Sequence, residues 1–206
     1  MDLESLVRRH GPLPAARVVH VLHQVCESLD EAHAAGLVHR DIKPGNIYLG
    51  KVGRRRDFVK VLDFGLVKTA STSAETTLAT LHGVIMGTPA YMAPEMALGD
   101  PVDGRADLYA LGCVAYFLLT GEQVFTGDTL MKVLTQHLHA VPVPPSQRSE
   151  LPIPAALEQV VLALLAKKPE ERPQTARQVA GALAAIEGMT WSEEDAARWW
   201  RLHHPA

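Results

Sequence analysis

Residues 106–119 read Ala-Asp-Leu-Tyr-Ala-Leu-Gly-Cys-Val-Ala-Tyr-Phe-Leu-Leu, apolar on every side of a helix except at Asp107. A helix of that kind has no face to give to water, so it belongs at the centre of other helices, and Gly121 marks its end. The longest apolar run, residues 108–120, is 13 residues, too short to cross a bilayer. The rest of the chain must therefore supply amphipathic elements that surround this one.

Pro14 sits where a first helical turn tolerates proline, and Val18, Leu22, Val25, Leu29 and Ala32 recur at spacings of three and four up to Gly36, predicting a helix with one apolar face. Residues 3–10 form a shorter helix stopped by Gly11, and residues 130–138, 155–166 and 175–186 complete the set. Prolines at 142, 144, 145, 152 and 154 make residues 141–154 an extended connector. Residues 37–38, 47–49 and 59–62 are apolar or β-branched runs between Gly and Pro, expected as short strands around loops. Residues 63–95 lose all periodicity, and so long an irregular stretch inside a compact domain is usually functional.

These segments predict a mainly α fold (α+β), with one domain over residues 1–188 and a helical tail over 189–206. In the tail, Ser192 and Asp195 can cap a last helix holding Trp199 and Trp200. At 47% hydrophobic and 21% charged the chain can build a core, and with 5% aromatic that core rests on Leu, Val and Ala. The net charge of −3 argues against attraction to nucleic acid or an anionic membrane. No signal-peptide pattern is present, and Cys26 and Cys113 lie inside apolar helical patterns without a CxxC partner. Reduced core thiols in a cytoplasmic protein are expected.

The chemistry gathers in His39-Arg40-Asp41-Ile42-Lys43-Pro44-Gly45-Asn46. A carboxylate, an ammonium two residues on and an amide five residues on, in a Pro/Gly-shaped loop between helix and strand, can converge on a phosphorylated substrate. Asp41 accepts a proton, Lys43 neutralises phosphate, and Asn46 offers a neutral oxygen to a hard cation. Magnesium prefers oxygen ligands and retains water, so one amide and one carboxylate suffice. Asp63, in Asp63-Phe64-Gly65, supplies the carboxylate from the end of the next strand, and a hairpin brings it back beside Asn46.

This segment resembles the catalytic loop of protein kinases. In the same order follow the DFG triplet at 63–65, GTPAYMAPE at 87–95, Asp107-Leu-Tyr-Ala-Leu-Gly112, and Arg172-Pro173. Lys43 and Thr88 place the resemblance in the Ser/Thr branch, closest in wording to bacterial, eukaryotic-like Ser/Thr kinases. It implies transfer of the γ-phosphate of ATP to protein Ser/Thr hydroxyls with Mg2+, on the helical C-lobe of the kinase fold. Asp41 becomes the catalytic base, Lys43 a γ-phosphate contact, and Asn46 and Asp63 the magnesium ligands. Tyr48 and Leu62 fall at positions lining the C-lobe side of the adenine pocket, where Tyr48 is bulkier than the usual small aliphatic. His39 and Phe64 stack in the internal hydrophobic column, with Gly65 completing the triplet. Asp107 accepts hydrogen bonds from the catalytic-loop backbone, and Glu95 and Arg172 form a buried ion pair. Arg40 awaits a phosphate on the activation segment, with Thr80 the first candidate and Thr76 and Thr77 behind it.

The family's N-lobe carries a glycine-rich loop, a strand lysine and a helix glutamate. Only 38 residues precede His39, there is no GxGxxG, and no lysine precedes Lys43. The chain alone is expected to be a very poor enzyme unless another chain supplies the lobe or the true start lies upstream. The runner-up reading is a catalytically silent fragment acting as a protein-binding module. Surface around Ile47, Tyr48, Leu62, Phe64 and Leu66 is then expected to face water or a partner. His20 and His23 lack a third ligand at helical spacing and are expected to be ordinary surface or core histidines. Residues 54–56 read as a solvated basic turn. The three tryptophans, all in the last 16 residues, are expected to dock on the domain's own helices, with one of the adjacent pair left for a partner.

Overall fold

The computed structural model describes residues 1–53, 55–64 and 88–203, apart from the side chain of Arg55. Helix α1 is Leu3–His10 and α2 is Ala15–Ala34; a two-stranded hairpin, β1 (Ile47–Val52) and β2 (Arg55–Val61), follows. Then come α3 (Pro94–Leu98), α4 (Gly104–Thr120), α5 (Leu130–His139), α6 (Ala155–Leu164), α7 (Ala176–Ala184) and α8 (Glu193–His203). None of the described helices is long and apolar enough to cross a membrane.

Helix α4 is the buried axis. Asp103 caps it by accepting Arg105 N–H at 2.9 Å, and Leu108, Leu111, Val114, Tyr116 and Leu118 are each 0% exposed. Each of these Leu and Val side chains contributes about 1.5–3 kcal/mol of burial. Helices α2 and α6 pack on it, and α7 closes over α2. The α4–α6 crossing is close because Gly112 has no side chain: a Cβ there would sit 2.8 Å from Leu164 Cβ. Both cysteines are free and buried, and burial pushes each thiol up to about 12, so both stay protonated.

The hairpin is antiparallel, with Ile47 opposite Val61 and Leu49 opposite Val59. Its period of two turns these four residues to the core and Tyr48 and Lys60 outward. That corrects one expectation: Ile47 is 0% exposed and does not face water, whereas Tyr48 is 39% exposed. Residues 37–38 form no strand. Leu37 N–H closes the end of α2 on Ala32 O, and the next amide beyond Val38, that of His39, goes to Asp107. Residues 63–95 are not wholly irregular, since a 3-10 turn at Pro89–Tyr91 and the start of α3 fall there; the proline connector likewise holds a turn at Pro145–Gln147.

Candidate active site

The loop between α2 and β1 is fastened from below by Asp107. Its Oδ2 accepts His39 N–H and its Oδ1 accepts Arg40 N–H, both at 2.8 Å. His33 Nε2 donates to Oδ2, also at 2.8 Å. Three donors compensate a carboxylate that is 1% exposed, which is how a charge persists in the apolar helix. Arg40 takes φ 65°, a left-handed conformation that costs a non-glycine residue about 1–3 kcal/mol, and the bond to Asp107 holds it there.

His39 ties the loop to the hairpin. Its Nε2 donates to Leu62 O at 2.8 Å, and its Nδ1 accepts Asp41 N–H at 3.3 Å. A carbonyl only accepts and an amide only donates, so the ring carries its proton on Nε2. Its face meets Phe64 edge-on, with centroids 4.7 Å apart. The resemblance implied a stack of these two rings; they meet instead in an edge contact at 65°.

Asp41, Lys43 and Asn46 converge. Asp41 Oδ2 accepts Lys43 Nζ at 2.7 Å and Asn46 Nδ2 at 3.0 Å, and Asn46 Nδ2 also donates to Asp41 O at 2.9 Å. The Lys43–Asp41 pair is about a third exposed, so it is worth at most about 1 kcal/mol and Lys43 is readily redirected. Asn46 spends its nitrogen on Asp41, so a cation could be met only by its amide oxygen. Leu62 N–H donates to Asn46 O at 2.9 Å, which closes the base of the hairpin and sets Asp63 next to Asn46. Asp63 is exposed, at φ 64°. Two oxygen donors of this kind fit a hard cation that keeps its own water. Among the described residues no group of three His, Cys, Asp or Glu side chains gathers for a metal, and His20 is engaged with Gln24 and Asp57 O.

Thr88 reaches the same region, lining a small cleft with Arg40, Asp41, Tyr91 and Asp107. Burial raises the Tyr91 phenol well above its ordinary value. Farther along, Arg172 Nη1 and Nη2 donate to Glu95 Oε1 and Oε2 at 2.7 and 2.8 Å. The guanidinium also donates to the carbonyls of Ala166, Lys167 and Arg105, so a side chain with no exposed surface has each nitrogen occupied. Next to it, burial pushes His137 down to about 4, with the Lys167 charge adding to the effect, and burial brings Lys167 down to about 8.

Gly65, Leu66, Thr76, Thr77, Thr80 and Arg54 lie outside the described residues. Tyr48 sits on β1, opposite Lys60, and Leu62 lies just past the end of β2, partly buried. His33 was not anticipated: a lone charge in an apolar helix announces that it needs partners, but nothing local says that one is a histidine 74 residues earlier. Nor was Arg17–Asp57, an ion pair with both side chains 0% exposed, on which the tail tryptophans close. None of the three indoles is fully exposed as the sequence suggested for one of the pair: all are partly buried, Trp191 and Trp200 donating to Asp57 and Trp199 lying over Arg17.

Residues 1–182 match the protein kinase domain family. The serine/threonine-protein kinase Pkn1 of Myxococcus xanthus is 54% identical over 162 residues, 78% of this chain and 23% of Pkn1. The serine/threonine-protein kinase PknB of Mycobacterium tuberculosis is 41% identical over 186 residues, 90% of this chain and 29% of PknB. The chain thus spans less than a third of either relative. Among solved structures, Rad53 1–466 in complex with AMP-PNP superimposes with a TM-score of 0.72 at 25% identity, over 90% of this chain and 44% of that one. The Rad53 kinase domain with SCD2, in complex with AMPPNP, gives 0.71 at 23% identity, over 93% and 68%.

Proposed function

The chain belongs to the protein kinase domain family, and on that premise we propose that it furnishes the catalytic-loop half, the C-lobe, of a serine/threonine kinase that moves the γ-phosphoryl group of ATP to protein hydroxyls. Phosphoryl transfer asks the protein for positioning and charge more than for covalent chemistry. Asp41 Oδ2 takes the proton of the attacking hydroxyl as base. Lys43, within 2.7 Å of that oxygen, turns to the γ-phosphate when it arrives. The Asn46 amide oxygen and the Asp63 carboxylate hold Mg2+, which when bound draws charge off the phosphate oxygens. Tyr48 and Leu62 face the adenine from below. Arg40 receives a phosphate on the activation segment, with Thr80 the first site to examine.

The glycine-rich loop and strand lysine of the family are not among these 206 residues, whose first lysine is Lys43. Activity is accordingly assigned to the chain joined with an N-lobe, in the cytoplasm where reduced thiols and ATP coexist. One observation carries this reading most strongly: Asp41 binds both Lys43 and Asn46, while the Leu62 amide closes on Asn46 and delivers Asp63 to the same edge.

Calorimetric titration with MgATP tests it. The 206-residue chain alone should show no micromolar binding; the chain fused behind the N-lobe of Pkn1 should bind, and D63N in that fusion should abolish it. Micromolar binding by the chain alone would contradict the need for the second lobe. A fusion that never binds would leave the alternative, a silent protein-binding module.

A further inference from the structure

Residues 183–206 lie beyond the family match and hold all three tryptophans of the chain. The tail is well built. Ser192 and Asp195 cap α8 reciprocally, Asp195 N–H donating to Ser192 Oγ at 3.1 Å and Ser192 N–H to Asp195 Oδ2 at 3.0 Å. The helix sets Trp199 and Trp200 against α2 and β2, with Trp191 just ahead of it.

Their common target is Asp57 of β2. Asp57 Oδ1 accepts Arg17 Nη2 at 2.9 Å and Trp200 Nε1 at 2.7 Å; Oδ2 accepts Arg17 Nε at 2.8 Å and Trp191 Nε1 at 2.9 Å. The Arg17 guanidinium carbon lies 3.9 Å from the Trp199 ring centre, and His203 stacks on that ring at 4.1 Å. Arg17 Nη1 has no hydrogen-bond partner among the described residues. The pair is fully buried with the three indoles against it, and opposite charges in so low a dielectric attract more strongly than in water.

Asp57 is also where the hairpin joins α2. Its backbone has φ 52°, its carbonyl accepts Gln24 Nε2 at 3.0 Å, and Gln24 Oε1 accepts Val59 N–H at 3.1 Å. The tail's first turn adds Glu193 Oε2, which accepts Arg56 N–H at 3.0 Å. Strand β2 ends at Val61, and the chain passes directly to Leu62, whose amide closes on Asn46, and to Asp63.

We propose that Trp191, Trp199 and Trp200 are positioning residues: by sealing Arg17–Asp57 they lock the hairpin onto α2 and set the separation of Asn46 and Asp63. This rests on the assignment of that pair to the divalent cation. Tail docking and cation binding are then linked reciprocally, each strengthening the other.

The test uses the whole chain with W191F/W200F, which removes both indole donors and keeps the rings. Amide hydrogen exchange at Val59 and Leu62 should quicken by about tenfold while the core of α4 is unchanged. Mn2+ alone, followed by its paramagnetic signal, should bind about fivefold or more weakly. A merely structural role would quicken α4 as well, and unchanged exchange at Val59 and Leu62, or equal Mn2+ affinity, would overturn the proposal. If the unaltered chain shows no Mn2+ binding that D63N removes, the cation assignment fails, and hairpin exchange alone decides whether the tail holds the hairpin. Should the double variant not fold, W191F alone removes one indole donor to Asp57; it should give a smaller change confined to the hairpin, and no change there would overturn the proposal.

Discussion

The Asp107 carboxylate lies 2.8 Å from the backbone nitrogen of Arg40, so the charge buried in the central helix holds Arg40, next to Asp41, in a left-handed conformation. Asparagine at 107 keeps the shape but offers one oxygen to three donors. D107N should cost about 1–3 kcal/mol in urea denaturation and quicken exchange of the Arg40 amide, with D107A losing more. A neutral D107N would mean that the loop finds its conformation without this anchor.

Glu95 and Arg172 form a bidentate pair with little access to water. E95A or R172A leaves one buried charge unmatched and should cost about 3–5 kcal/mol, whereas a joint apolar replacement such as E95L/R172M should cost much less than the sum. A double-mutant cycle by chemical denaturation measures this; additive losses would contradict coupling across the pair.

Two glycines should respond oppositely to alanine. A Cβ on Gly104 would sit 2.7 Å from the His33 ring, so G104A should push that ring off Asp107 and cost about 1–3 kcal/mol. Gly181, inside α7, has nothing within 4 Å of an added Cβ, and G181A should stabilise by about 0.5–1 kcal/mol. Thermal midpoints of the two variants check both signs.

His137 sets an acid limit. Burial first, and the Lys167 charge second, lower its pKa from 6.5 to about 4, and its Nδ1 lies 2.8 Å from the buried Tyr109 hydroxyl. Between those values the unfolded chain binds a proton that the folded chain does not. Stability from this group is complete above pH 6.5 and is lost as pH falls toward 4, by about 3 kcal/mol in all. H137N, which keeps an acceptor near Nδ1 and cannot titrate, should flatten the stability profile between pH 6.5 and 4; an unchanged slope would assign it to other groups.

How much of this was legible depended on the distance between partners. The 3.6-residue rhythm of Val18, Leu22, Val25 and Leu29 placed α2, and the apolar residues around Asp107 placed α4 at the centre, because both are local patterns. Asp41, Lys43 and Asn46 lie within one loop, so their meeting could be read from spacing. The Glu95–Arg172 pair, 77 residues apart, was legible only through family resemblance. Nothing near Arg17 in the sequence names Asp57, 40 residues on, or the indoles of the tail. Residues 37–38 carried a strand composition, but their backbone is claimed by the end of α2 and the loop on Asp107, and tertiary demand overrides β propensity.

In our proposal Asp41 is the base of a phosphoryl-transfer site completed by a second lobe. Transfer of radiolabelled γ-phosphate from ATP to a Ser/Thr-containing protein, by the chain fused behind the Pkn1 N-lobe, tests it most directly. The fusion should be active, and D41N in it should lose about 10²–10⁴-fold in rate while retaining its fold and its MgATP binding. Equal transfer by the fusion and its D41N variant, or full-rate transfer by the 206-residue chain alone, would contradict the claim.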